Sequence, residues 1–290
     1  MVVFLTSVRH PHNSNQYPRV IELLEMSLRS VCAQTSHDFR VVVVCNEQPD
    51  LAFHDPRIVY HVVDFPPASA SAGTIAHEPI VKRDKGTKKL SGLLLARQFT
   101  PDYIFMFDAD DLVSRRVAAF ANERPGETGW YVDAGYVLNL ATGRIQRKHG
   151  LVRYCGTTLM PSAAALYEFG KLETQVDERS SQQELLSRVD PVFIAEIVGG
   201  HAEMVGYFAE RGRRMRPLPF RATAWVQETG ENVVAARGTD VGVPATPAFC
   251  EEFGVRLATR DARPASALDY LREMAACARS KLGALRGAGA

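Results

Sequence analysis

No apolar run in this 290-residue chain approaches the length that crosses a bilayer. Cysteine is scarce and unpaired. Cys32, Cys45, Cys155, Cys250 and Cys277 are widely spaced, odd in number and form no CxxC pair. That excludes a zinc knuckle and a disulfide framework, and three of the five read as ordinary core residues. Excess charge is missing too. Lys and Arg number 34 against 33 Asp and Glu, a formal charge of +1. A general nucleic-acid-binding protein would usually be basic, so no nucleic-acid partner is expected. Glycine is absent from residues 7–19, so no Gly-rich phosphate loop follows the first apolar segment. There is no internal repeat and no low-complexity tract. Met1 to Leu5 is apolar, but Thr6, Ser7, Arg9 and His10 end the run too soon for a signal peptide. The expected compartment is a reducing cytoplasm.

The chain does carry ample apolar residues. At 46% they suffice for the core of one large α/β domain. The most telling stretch is Tyr103 to Asp111, Tyr-Ile-Phe-Met-Phe-Asp-Ala-Asp-Asp. Ile104 to Phe107 is a short continuous apolar run, the pattern of a strand buried on both faces. It runs into Asp108, Asp110 and Asp111. Carboxylates at the C-terminal end of such a strand face the crevice where open α/β sheets bind ligands. Crowded there, they repel one another unless a cation or hydrogen-bond donors sit among them. Mg²⁺ is commonly held by one or two carboxylates plus substrate phosphates. Asp is equally at home in turns and helix caps, and Asp111 before Leu112-Val113-Ser114 reads as an N-cap.

Apolar spacing orders the rest. Val2–Thr6, Phe39–Cys45, Ile58–Val63 and Ile104–Phe107 read as strands. Val20–Ala33 and Lys88–Arg97 read as helices. Strands alternating with helices predict a Rossmann-like, mostly parallel sheet flanked by helices. Beyond residue 115 the expected strands are Trp130–Leu140, Gly143–Gln146, Gly156–Met160 and Arg221–Gln227. The expected helices are Ala163–Phe169, Gln182–Arg188, Glu203–Arg211 and a long C-terminal Ala265–Leu285. The expected organisation is a nucleotide-binding half at 1–115, an acceptor-side half of the same domain at 116–228, and a loop-and-helix appendage at 229–290.

Four segments, in order, resemble GT-A-fold glycosyltransferases of the broad family 2-like group. Ser27-Leu28-Arg29-Ser30-Val31-Cys32-Ala33-Gln34-Thr35 is similar to the end of their first helix. Phe39 to Asn46 is similar to their second strand. Lys82-Arg83-Asp84-Lys85-Gly86, with Gly92 and Ala96, is similar to the basic stretch before their DxD strand. Asp108-Ala109-Asp110 is similar to the DxD motif itself. The resemblance covers roughly residues 1–115 and weakens after that.

The resemblance implies a metal-dependent enzyme that moves a sugar from a nucleotide-diphosphate donor to a glycan, lipid-linked or small-molecule acceptor. It implies Mg²⁺ or Mn²⁺ held by Asp108 and Asp110, with His201 as a late ligand. Thr6, Arg9, Asn46, Asp84 and Asp108 would contact the nucleotide. Many members carry Asp where Asn46-Glu47 stands, which leaves the nucleotide open. Glu203 is the general-base candidate for an inverting reaction, and Asp190 the reserve. Gly199-Gly200 before His201 would let backbone approach a ligand closely. The alternatives are a nucleotidyltransferase or other nucleotide-sugar-handling enzyme, and a glycosyltransferase-like domain that binds without catalysis. If the acceptor is a membrane lipid, the chain must meet the membrane peripherally. The C-terminal helix, apolar with interspersed Arg and Lys, is expected to pack on its own domain and expose its charges.

Overall fold

The computed structural model describes residues 1–73, 77–173, 176–232, 242–257 and 265–287. Its first half is laid down as the apolar pattern predicts. Strand β1 is Val2–Ser7, helix α1 Tyr17–Cys32, β2 Phe39–Cys45, β3 Ile58–Val62, α2 Glu78–Ala96 and β4 Tyr103–Met106. The four strands are parallel, in the order β3-β2-β1-β4. Strands β1, β2 and β4 have apolar residues on both faces because each face is covered, whereas β3 at the sheet edge is only partly buried. Val2 and Phe4 point with Phe39, Val41 and Phe105 toward α1, where Leu24, Leu28 and Val31 meet them. Val3 and Leu5 point with Val42, Val44 and Ile104 toward α2, where Leu90, Leu93 and Leu94 meet them.

The sheet is completed to seven strands by β6 (Gly129–Tyr131), β9 (Leu159–Pro161) and β10 (Arg216–Pro217), in the order β10-β6-β9-β4-β1-β2-β3. Strand β9 runs antiparallel to both neighbours. The architecture is therefore α/β with a mostly parallel central sheet flanked by helices. A second sheet, β12-β8-β7-β11-β5, is built from β5 (Leu112–Val113), β7 (Gly135–Asn139), β8 (Arg144–Lys148), β11 (Thr223–Gln227) and β12 (Val243–Pro244).

The single expected strand Trp130–Leu140 is two. Gly129–Tyr131 pairs in the large sheet and Gly135–Asn139 in the small one, with Asp133 and Ala134 turning the chain between them. Asp111 caps no helix. The next helix, α3, is Val117–Asn122, and residues 112–113 form a strand instead. Helix α2 also begins earlier than the expected Lys88, so residues 82–87 of the basic run are helical too. Its period was hidden because Lys88 and Lys89 lie buried among apolar neighbours. Gly86 sits mid-helix because a Cβ there would stand 2.1 Å from the Ile194 carbonyl oxygen. That contact seats α2 against a π-helical turn, Phe193–Val198, which is what the apolar Asp190–Gly200 segment becomes.

Helices α4 (Ala163–Phe169), α5 (Gln182–Arg188) and α6 (Met204–Glu210) cover the α2 side. Part of the 229–290 segment is built into the small sheet. Strand β12 pairs with β8, and α7 (Pro247–Glu252) brings Phe249, with Phe253 just beyond it, against Leu138 and Val226. Residues 233–241 of the expected appendage lie outside the described residues. The last helix, α8, is Ala267–Gly287.

Candidate active site

Strand β1 leads to β2 on one side, while β4 lies on its other side. A crevice opens at such a switch point, beyond the carboxyl ends of the two strands. Here it is a cavity of about 380 Å³. Ser7, Val8 and Arg9 enter it from the end of β1, and Asp108 to Asp111 from the end of β4. Lys82, Asp84 and Lys85 enter from one side of α2. Gly199, Gly200 and His201 line it as well, as do Tyr154, Gly156, Trp225, Gln227, Glu231 and Asn232.

The three carboxylates behave differently because their neighbours differ. Asp108 Oδ1 lies 2.5 Å from Lys85 Nζ and 3.4 Å from Lys89 Nζ. Burial opposes its ionisation, but the two ammonium groups together hold it well below the usual carboxylate range. Asp110 has no lysine so close. Burial, and then the charge of Asp108, push it up to about 6. Asp111 is 1% exposed. Its Oδ2 accepts from Thr157 Oγ1 at 2.5 Å and its Oδ1 from Val226 N–H at 2.8 Å. It ties β11 to the end of β4. Burial and the neighbouring carboxylates raise its pKa well above the ordinary value.

Lysines supply the opposite charge. Lys82 Nζ bonds Glu196 Oε2 at 2.7 Å and Glu78 at 2.9 Å. Lys88, 1% exposed, donates to the Val8 carbonyl at 3.2 Å and pairs with Asp84 Oδ2 at 3.2 Å. Burial, then the charge of Lys85, push Lys89 down to about 7. Asp84 lines the cavity, and its Oδ1 is buried with no hydrogen-bond partner among the described residues. Arg9 is held by Glu231, with NH1 at 3.1 Å from Oε2 and NH2 at 2.9 Å from its carbonyl. Tyr154 and Trp225 stack with 15° between their planes and 6.4 Å between ring centroids.

Of the residues expected from sequence, Arg9, Asp84, Asp108, Asp110 and His201 come together in this cavity. Burial, then Lys85, lower the His201 pKa to about 4, so its imidazole is neutral at physiological pH. Thr6 does not reach the cavity; it is fully buried within β1. Asn46 is a tether, its Nδ2 donating to the Val63 and Phe65 carbonyls at 3.2 and 2.7 Å. Glu203 is exposed at the start of α6 and outside the cavity lining. Asp190 is also exposed and outside it, its Oδ1 accepting from Val192 N–H. Neither carboxylate therefore joins Asp108 and Asp110 at the strand ends. Gly199 and Gly200 serve packing. A Cβ on Gly199 would stand 2.2 Å from the Lys82 carbonyl, and one on Gly200 2.6 Å from that of Glu196.

The residues expected from sequence include Asp84 but none of the lysines, nor Tyr154, Gly156 or Trp225. One signal was available: three cations at 82, 85 and 89 recur at helical spacing. Gly156 has no such signal. A Cβ there would lie 2.4 Å from Asp108 Oδ2 and 2.8 Å from Lys85 Nζ, so glycine leaves room for that ion pair.

A pre-assembled site made of Asp108, Asp110 and His201 is not found. Among the described residues, no group of three or more His, Cys, Asp or Glu side chains could hold a metal ion. Asp108 already has its charge met by two lysines. What does suit a divalent cation is Asp110, a cleft carboxylate crowded by a second one, because Mg²⁺ takes few protein ligands when substrate phosphates supply the others.

No family model matches the chain, and no curated protein matches it. Solved structures do. The galactosyltransferase LgtC, in complex with donor and acceptor sugar analogues, is 14% identical, with a TM-score of 0.37 over 94% of this chain and 95% of that one. An active-site mutant of LgtC gives 12% and 0.32 over the same shares. TarS of S. aureus gives 14% and 0.34 over 78% of this chain; the match spans 36% of TarS. At these scores the likeness carries no argument about function.

Proposed function

We propose that the chain is a glycosyltransferase using a nucleotide-diphosphate sugar. The observation that carries the reading is the convergence of Asp108 and Asp110 with Arg9, Lys82 and Lys85 in one crevice at the strand switch point. A departing diphosphate leaves negative charge that the site must stabilise. Lys82 and Lys85 face the cavity and supply fixed positive charge to the phosphates. Asp108 holds Lys85 in place rather than acting as a free ligand. A divalent cation, which Asp110 would hold, would add Lewis-acid charge to the same phosphates, with His201 lining the same cavity. The unpartnered Oδ1 of Asp84 is an acceptor for a nucleobase N–H or a ribose hydroxyl. The Tyr154–Trp225 pair, which lines the same cavity, offers an apolar face to a sugar ring. The resemblance of residues 1–115 to GT-A enzymes agrees with this arrangement.

The test is a thermal-shift series with UDP, GDP and dTDP and their sugar conjugates, each with Mn²⁺ and with EDTA. A ligand at about a hundred times its Kd stabilises by about 2.7 kcal/mol, roughly 5–10 °C for a domain of this size. If no nucleotide shifts the transition under any condition, the reading fails.

A further inference from the structure

Helix α8 is docked the wrong way round for a packing helix. Its inner face is polar: Glu273 bonds Arg147 at 2.5 Å, Asp269 lies 3.5 Å from Arg144, and Ser280 Oγ accepts from His149 N–H at 3.1 Å. Its opposite face is apolar and open. Leu268, Leu271, Ala275, Ala278, Leu282 and Leu285 recur at alternating steps of three and four, a single stripe along the helix. The leucines at its two ends are 52%, 58%, 57% and 64% exposed. Arg272 and Arg279 flank the stripe on one side, Met274 and Lys281 on the other, all exposed. The only carboxylates between 267 and 285, Asp269 and Glu273, are both turned inward. The helix thus packs on its own domain and exposes its Arg and Lys side chains as expected, but it packs through its polar face and leaves the leucines outside.

We propose that α8 seats this chain on an anionic membrane surface. A helix with an apolar stripe and Arg and Lys along its borders lies in the interface plane, leucines in the acyl boundary and cations at the headgroups. Charge selects this occupant over a second copy. Two such helices paired along the stripe would set Arg272 and Arg279 against like charges, with no acidic partner on the outer face. Anionic headgroups supply the missing countercharge. A second cavity fits the same occupant. It lies between α8 and β8, about 430 Å³ in volume, and its lining includes Lys148, His149, Arg153 and Arg279 but no carboxylate. Tyr154 lines both it and the cleft, so a headgroup phosphate held there would sit beside the candidate active site. The inference stands whether or not the cleft transfers a sugar.

The experiment is co-sedimentation of the full chain with vesicles of phosphatidylcholine and phosphatidylglycerol, about three to one, against pure phosphatidylcholine. The wild type should bind the anionic vesicles and lose them at high salt. The double variant Leu271→Asp/Leu282→Asp should stay in the supernatant with unchanged circular dichroism and thermal transition. Arg279→Gln should cut partitioning about fivefold, since each cation near the surface contributes about 1 kcal/mol. Equal binding of wild type and double variant, or no binding by either, overturns the proposal. So does a wild-type dimer in light scattering that the double variant breaks, because the stripe then belongs to a second copy.

Discussion

Replacing Lys85 by Met tests the cleft at its closest ion pair. The side chain keeps its length and loses the ammonium that lies 2.5 Å from Asp108 Oδ1. Breaking a fully buried pair costs about 3–5 kcal/mol. Asp108 is 29% exposed on its side chain and keeps Lys89 at 3.4 Å, so about 1–2 kcal/mol is the reasoned loss, a fall of roughly 3–6 °C in Tm. Lys89 should respond as well. Burial is the first cause of its depression to about 7 and the charge of Lys85 the second. Without Lys85 its pKa rises, so it is more fully charged at neutral pH and partly replaces the missing cation. Turnover should nonetheless fall about 100- to 1000-fold, the usual result of deleting one preorganised group that meets developing charge. Release of nucleoside diphosphate from the donor that the thermal series selects is the assay, with Lys85→Arg as the charge-retaining control. Wild-type turnover in the Met variant, with unaltered nucleotide affinity, would refute the assignment of leaving-group charge to α2.

Asp110 makes the apo protein sensitive to pH. Its folded-state pKa is raised to about 6 from an ordinary value near 4, so its contribution is fully present below about 4 and is lost as pH rises through about 6. Urea melts across that window should show the decline, and Asp110→Asn should flatten it; a parallel decline in the variant would assign the effect elsewhere. If Asp110 binds the cation, Mn²⁺ titrations near pH 6 should release protons, seen as a buffer-dependent calorimetric heat that Asp110→Asn abolishes. Asp84→Asn preserves shape beside buried Lys88 and should weaken nucleotide binding about tenfold or more, the scale of a hydrogen bond to a charged group; unchanged affinity would remove Asp84 from the nucleotide site. Gly156→Ala puts a methyl 2.4 Å from Asp108 Oδ2, against side-chain ends that can move, so Tm should change little while turnover drops; equal turnover would show that the Asp108–Lys85 geometry is unimportant.

The sequence by itself determined the α/β sheet and the location of the crevice. Val2–Ser7, Phe39–Cys45 and Tyr103–Met106 are apolar on both faces, so they had to be interior strands, and Asp108 and Asp110 had to emerge at a strand end. That local pattern needs no knowledge of what lies opposite. What lies opposite was the business of the tertiary structure. Side-chain type does not reveal that Lys82 and Lys85 reach the crevice from α2, which is seated against the π-turn through Gly86. Glu203 and Asp190 looked equivalent to cleft carboxylates, yet both lie outside the cavity lining. Tyr154 and Trp225 meet from 71 positions apart. Helix α8 shows the limit most plainly. Its apolar stripe was legible, but which face turned inward was decided by Arg144 and Arg147 on a distant strand, whose charges drew Asp269 and Glu273 down and left the leucines outside.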